Sequence, residues 1–259
     1  MNDEISRRFL QLIDLVKTLR GPNGCDWDKA QTHNSLTPYF LEEAHEVIDS
    51  IHEHNPTKLK EELGDMLLHI VFQAQIGDES GEFNIADSLE QINSKLVRRH
   101  PHVFGGTQVD GVSDIKKNWE VIKMKEGRKS LMDGLPNTLP ALLQARRVQE
   151  RAAQVGFDWD KIEPVWAKIT EETAELQDAI VTGNQAEIDN EFGDLLFTMV
   201  NLSRFLEIDP EEALRHTVRK FIRRFQAIES ELSAAGKNIK DVSLNELDEI
   251  WNRLKTEEN

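Results

Sequence analysis

Residues 188–199 read Ile-Asp-Asn-Glu-Phe-Gly-Asp-Leu-Leu-Phe-Thr-Met. Ile188, Phe192, Leu195, Leu196 and Met199 fall at i, i+4, i+7, i+8 and i+11, the spacing of one face of an α-helix. The same twelve residues carry Glu191 and Asp194, three apart. Upstream stands Glu171-Glu172-Thr173-Ala174-Glu175, with Gly183-Asn184 between the two stretches. A break that short predicts two antiparallel helices joined as a hairpin.

Working outward, both acidic stretches have earlier copies. Glu42-Glu43-Ala44-His45-Glu46 precedes Glu171–Glu175 by 129 residues, and Glu62-Leu63-Gly64-Asp65 precedes Glu191-Phe192-Gly193-Asp194 by the same 129. Flanking pieces repeat with small slips. Asp26-Trp27-Asp28 matches Asp158-Trp159-Asp160, Leu96-Val97-Arg98-Arg99 matches Phe221-Ile222-Arg223-Arg224, and Trp119 matches Trp251. The chain therefore reads as a tandem duplication, with modules at 1–126 and 138–259. Residues 127–137 form the linker, within a Gly- and Pro-rich stretch, 127–140, that has no clean period.

The predicted fold class is all-α. Helix periodicity dominates, and only Val103-Phe104 and their neighbours look locally extended. Asp209-Pro210-Glu211-Glu212 marks a helix start with an N-cap, a proline at the first helical position and a capping-box glutamate. Ser243-Leu244-Asn245-Glu246 repeats the box without the proline, and a basic helix from Leu142 to Val155 stops at Gly156.

In a helix each residue advances about 100°, so Glu172 shares a face with Glu175, and Glu191 with Asp194. The hairpin then aims four carboxylates at one point: Glu172, Glu175, Glu191 and Asp194 in the second half, Glu43, Glu46, Glu62 and Asp65 in the first. An acidic cluster on a helix is ordinarily a solvated face. Two observations argue otherwise here. The pattern occurs twice at identical spacing, and Glu172 lies on the apolar line Val165, Ile169, Leu176, Ile180, where an unpaired carboxylate costs several kcal/mol. Oxygen-only donors, with neither Cys nor paired His, select Mg²⁺ or alternatively Mn²⁺.

Composition is that of an ordinary soluble chain. The 259 residues are 39% hydrophobic and 30% charged, enough apolar side chains for a core. Cys25 is the single cysteine, so no intrachain disulfide forms. The N-terminus lacks a secretory pattern and no run approaches the ~18 apolar residues of a membrane span, so the expected address is cytoplasmic. A net charge of −16 repels duplex DNA and anionic lipid. An anionic ligand would need a bound cation or a local basic cluster.

The acidic signatures, with Gly24-Cys25-Asp26-Trp27-Asp28, Arg98-Arg99-His100-Pro101-His102-Val103-Phe104 and Val155-Gly156-Phe157-Asp158-Trp159, resemble the MazG-like, all-α nucleoside triphosphate pyrophosphohydrolases, relatives of the dimeric dUTPases. The resemblance covers nearly the whole chain. It implies Mg²⁺-dependent hydrolysis of nucleoside triphosphates, ATP and others, to the monophosphate and pyrophosphate. It also implies a homodimer that completes a four-helix-bundle type of packing.

Residue by residue, it implies Glu172, Glu175, Glu191 and Asp194 as metal ligands. Glu171, next to the metal face without being needed as a ligand, is the spare carboxylate expected to orient or deprotonate the attacking water, beside Glu172 and Lys168 at the reaction. Lys168, Lys220 and Arg224 match phosphate contacts, and Trp251 matches a nucleotide-contacting aromatic, so the nucleotide set is Lys168, Glu171, Glu172, Asp194, Lys220, Arg224 and Trp251. The first half has Lys95, Arg99 and Trp119 in the same places but Tyr39 where the second has Lys168, which loses one positive charge. The second half is therefore expected to be the main catalytic one, with the first a second metal site.

Two rival readings are a non-catalytic nucleotide-sensing or protein-interaction helical module and a di-iron bundle. The di-iron reading rests on Glu42-x-x-His45 and fails at Ala174, where its second His would stand. His100-x-His102, beside Pro101, reads as a helix end.

Overall fold

The computed structural model describes residues 2–111, 114–115, 118–119, 122, 126–127 and 129–257. Arg128 of the expected linker and both chain termini lie outside them. Among the described residues the regular structure is helical, with no strand. The chain divides into two compact units, Met1–Gly111 and Val112–Asn259.

The first unit contains α1 (Asn2–Arg20), α2 (Asp26–Ala30), α3 (Thr37–His52), α4 (Pro56–Ser80), α5 (Ile85–Arg99) and α6 (Pro101–Phe104). Pro38 opens α3 and Asn55 caps α4, its side chain accepting from the backbone N–H of Thr57 and Lys58. α3 and α4 form the expected hairpin, and α1 packs on α4. Val16, Leu36, Val71 and Phe72 make the buried centre, with Phe9, Leu12, Ile13, Leu68 and Ile76 packed around it.

The second unit repeats this plan with α7 (Ala141–Ala153), α8 (Glu163–Thr182), α9 (Gln185–Phe205), α10 (Pro210–Ala234) and α11 (Leu244–Glu257), plus a 3₁₀ turn at Ile239–Asp241. α8 and α9 pair as a hairpin, α7 packs on α9 and α10, and α11 packs on α10. Gly183 closes α8 at φ +73°, and Asn184 caps α9 by accepting from Ala186 N–H. Asp209 caps α10 as its sequence predicts, accepting from Glu211 N–H at 3.0 Å and Glu212 N–H at 3.1 Å. The stretch before α7 is irregular and is tied down: Arg151 donates to the carbonyls of Leu131 and Asp133.

One expectation needs correction. Val103 and Phe104 are not extended; they belong to the short helix α6, which Pro101 starts and for which His100 closes α5. A proline at the first helical position is already set to helical φ, so one turn forms although the residues prefer strands. The apolar stripe of α9 is covered only in part. Phe192, Leu196 and Met199 are each about half exposed, while Thr198, Val200, Leu202 and Ser203 are the buried positions of that helix. The hairpin covers one flank of α9 and leaves part of the stripe uncovered in a single chain.

Candidate metal and nucleotide site

The second-unit carboxylates stand where α8 and α9 face each other. Oxygens of Glu172, Glu175 and Glu191 lie within 4.8 Å of one another. Asp194 is not one of this triplet, although all four were expected to meet at one point. Its shorter side chain projects one turn further along α9, about 60° from Glu191. Its charge still acts on Glu191, whose pKa is raised, first by burial and then by the Glu175 carboxylate, with Asp194 and Glu172 adding to it.

Glu172 is buried, with 4% of its surface exposed. Among the described residues one cation meets it: Lys168 Nζ lies 2.7 Å from Glu172 Oε1 and 2.7 Å from Glu171 Oε1. Those two bonds, Glu171 first, hold Lys168 charged well above the usual lysine range. The i+3 and i+4 spacing from Lys168 makes both contacts possible from a single turn of α8. Lys168 is thus a ligand of the acidic cluster within the chain, and not a side chain waiting in open solvent.

Lys220 and Arg224 lie one turn apart on α10, Lys220 half-buried and Arg224 buried. The Arg224 guanidinium carbon stands 5.4 Å from the centre of the Trp251 ring, and that ring lies 5.1 Å from Phe221. The expected stacking aromatic is therefore packed against α10 and holds the arginine by a cation–π contact.

The first unit gives a matching but differently charged cluster. Oxygens of Glu43, Glu46 and Glu62 lie within 4.8 Å of one another. Burial raises the pKa of Glu43, with Asp65 the next cause, and burial raises that of Glu62, with a hydrogen bond to Glu46 the next. None of these three glutamates has an ion-pair partner among the described residues. Tyr39, at the position of Lys168, meets Trp27 in a T-shaped contact with ring centres 6.0 Å apart. Lys95 and Arg99 are half-buried on α5. Trp119 falls in the second compact unit.

A feature that the sequence reading did not single out lies beside α9. A cavity of about 490 Å³ is lined by Gln149 and Ala152 of α7, by Phe157 and Trp159, and by Phe197 and Asn201 of α9. A comparison of the repeats held the signal. Asn201 stands 129 residues after Phe72, so a polar residue replaces a buried aromatic.

Comparison with known proteins now bears on this geometry. The family described as the MazG nucleotide pyrophosphohydrolase domain matches residues 31–104 and again residues 161–228. The chain belongs to the MazG family. It is 48% identical over 250 residues to a Thermotoga maritima protein named nucleoside triphosphate pyrophosphohydrolase/pyrophosphatase MazG, covering 95% of each chain. It is 41% identical over 257 residues to the Escherichia coli K12 nucleoside triphosphate pyrophosphohydrolase, covering 96% of this chain and 97% of that one. An uncharacterised Bacillus subtilis protein, YabN, is 44% identical over 254 residues; the match takes 96% of this chain but 52% of YabN.

The two MazG matches enclose both carboxylate clusters and the α5 and α10 cations. Gln149, Phe157, Trp159 and Trp251 lie outside them.

Proposed function

We propose that the chain hydrolyses nucleoside triphosphates to the monophosphate and pyrophosphate, with a divalent cation, Mg²⁺ or Mn²⁺, held by the second-unit carboxylates. The observation that carries this reading is the triplet Glu172, Glu175 and Glu191, its oxygens within 4.8 Å, one of the three buried. Three anions so close repel one another unless a cation joins them, and an all-oxygen donor set fits a hard ion. The names of the Thermotoga and Escherichia relatives support the activity.

Glu172, Glu175 and Glu191 would hold the ion, with Asp194 completing the set. When bound, the ion neutralises the triphosphate and polarises its phosphoryl oxygens. Lys168 exchanges its bonds to Glu171 and Glu172 for a phosphate oxygen. Lys220 and Arg224 take the leaving pyrophosphate, with Trp251 keeping the arginine aimed. Water then attacks phosphorus in line. Glu171, relieved of Lys168, accepts the proton of the attacking water as the new P–O bond forms and the bridging P–O bond to pyrophosphate breaks.

The proposed enzyme is a cytoplasmic homodimer. Its substrate pool lies in that compartment, and a second copy would cover the stripe of Phe192, Leu196 and Met199. Common and non-standard nucleoside triphosphates are both within the reading. Its modules are 1–126 and 138–259, and the second does most of the chemistry.

Phosphorus NMR of the first products tests the activity. Monophosphate and pyrophosphate are expected; diphosphate and orthophosphate would identify an ordinary phosphatase-type enzyme, and no turnover a binding module. Glu172→Gln and Asp194→Asn remove charge at nearly constant volume, so each is expected to abolish pyrophosphate release with the helical circular dichroism unchanged.

A further inference from the structure

The irregular stretch before α7 is closed on itself. Asp133 Oδ2 accepts from the backbone N–H of Lys129 at 2.7 Å and of Ser130 at 2.9 Å, and the Ser130 hydroxyl oxygen accepts from Met132 N–H at 3.1 Å. Gly134 follows at φ +72°, a conformation that glycine adopts without strain. Residues 129–134 are thus a turn whose shape is fixed by its own side chains.

One side chain fastens that turn to α7. Arg151 Nη1 donates to the Leu131 carbonyl at 2.8 Å and to the Asp133 carbonyl at 3.0 Å. The two acceptors flank Met132. Met132 lines the cavity beside α9, and the other lining residues come from Val148 onward. Val148 and Ala152, one turn before Arg151 and next to it, line the same cavity. A single guanidinium nitrogen therefore holds both sides of the residue that closes this wall.

The walls differ in how firmly they are built. α7 and α9 carry buried residues, among them Gln149, Val200 and Leu202. None of residues 129–134 is buried, so the turn is held by hydrogen bonds that water can replace. A segment with no core contact and solvent-accessible bonds opens at low cost while the helices beneath it stay folded. The first unit has neither the cavity nor the fastening. Phe72 fills the place of Asn201, and by the 132-residue offset that links the two Asp-Trp-Asp motifs, Leu19 stands where Arg151 does. Asn201, on the α9 wall, follows Asp194 by seven residues, about 10 Å along the axis. A nucleoside triphosphate held at the carboxylates is long enough to reach the cavity.

We propose that residues 129–134 are a strap that closes on bound substrate, and that Arg151 is the positioning residue that holds it shut. The proposal rests on the pyrophosphohydrolase reading of the carboxylates. Arg151 touches no reacting atom and acts through the strap. Fastened, the strap keeps Met132 against the cavity and slows the escape of its occupant. Released, it swings out and opens the cavity to solvent. The strap therefore governs binding and release, and not the cleavage of the phosphoanhydride bond.

The test uses the full chain with Mg²⁺, as wild type, Arg151→Met, Arg151→Lys and Met132→Ala. Hydrogen exchange of the 129–133 amides is followed by mass spectrometry, with and without the α,β-methylene analogue of the triphosphate that the wild type turns over best. KM and kcat are measured by pyrophosphate release. In the wild type the analogue is expected to slow exchange in this segment about tenfold. Arg151→Met should speed it about tenfold, the scale of one charge-assisted hydrogen bond lost at a partly exposed site, and raise KM by a similar factor without lowering kcat. Arg151→Lys should restore most of the lost affinity, because one ammonium can supply both bonds that Nη1 makes. Wild-type exchange unaltered by the analogue would overturn the strap. So would a wild-type KM in Arg151→Met with the segment loosened, or faster exchange throughout the second unit, which marks general loosening. If Arg151→Met does not fold, Met132→Ala decides: it leaves the fastening intact, a raised KM supports the strap, and an unchanged KM overturns it. All these outcomes leave the pyrophosphohydrolase reading standing. Absence of pyrophosphate from the wild type with every triphosphate removes that reading, and the strap's role with it.

Discussion

At the scale of single residues, the acidic site is set by how unlike its neighbours each carboxylate is. Glu172 is buried and bonded to Lys168, whereas Glu191 is raised by burial and by the Glu175 charge. Lys168→Met is expected to lower turnover about ten- to a hundredfold, the scale of one charge-assisted phosphate contact realised in the transition state. Steady-state pyrophosphate release measures it, and an unchanged rate would remove Lys168 from the reaction. The raised carboxylates also set a pH dependence. Glu43, Glu62 and Glu191 hold their protons to higher pH folded than unfolded. Their contribution to stability is present below the ordinary carboxylate value and is lost as pH rises through their raised values. Without divalent ion these groups should therefore lower the melting temperature as pH climbs out of the acid range, against the opposite pull of Glu79 and Glu150, whose lowered values add stability there, and Mg²⁺ should reverse the loss at the clusters. Melting curves with EDTA and with Mg²⁺ across that range read it directly; parallel curves would contradict metal binding at these groups. The approach of Glu172 to Glu175 was legible from i+3 spacing, whereas the same spacing did not bring Asp194 into the triplet with Glu191. The capture of Lys168 by Glu171 and Glu172 was not anticipated, because spacing permits a contact without deciding whether a side chain points to its neighbours or to a ligand.

At the scale of elements, the local signals are strong and the structure follows them. Asp209 and Asn184 cap their helices, and Gly183 turns the chain between α8 and α9 at φ +73°. A Cβ at Gly183 meets no atom within 4 Å, so Gly183→Ala is a matter of backbone strain alone. Its expected cost is about 1–2 kcal/mol, readable as a lowered urea midpoint. A wild-type midpoint would mean that the hairpin turn relaxes without penalty. Where local preference and context disagreed, context won. Val103 and Phe104 favour strands, yet Pro101 and the end of α5 place them in a helical turn. Periodicity likewise found the apolar stripe of α9 but not its fate. Which flank of an amphipathic helix meets a neighbour depends on the hairpin's rotation, and that is set by α7 and α8.

At the scale of the whole molecule, duplication leaves two carboxylate clusters with unequal surroundings. The second has Lys168 and the open cavity; the first has Tyr39 and a core closed by Phe72. Glu172→Gln in the full chain is therefore expected to remove activity, while Glu43→Gln costs much less. The two variants should be assayed side by side with the same triphosphate. Equal losses would mean that the halves share the work and that the charge asymmetry does not govern them.

By itself the sequence determined the helical class, the duplication and the identity of the acidic residues, because these depend on period, capping and spacing along one chain. The burial of Glu172 follows the apolar line on which the sequence places it, but only the tertiary structure decided that Asp194 stands apart from its triplet, that Trp251 packs against α10, and that Gln149 and Asn201 border one cavity. Those outcomes depend on the distance and rotation between helices. They come from the packing of side chains remote in sequence, so no single segment encodes them.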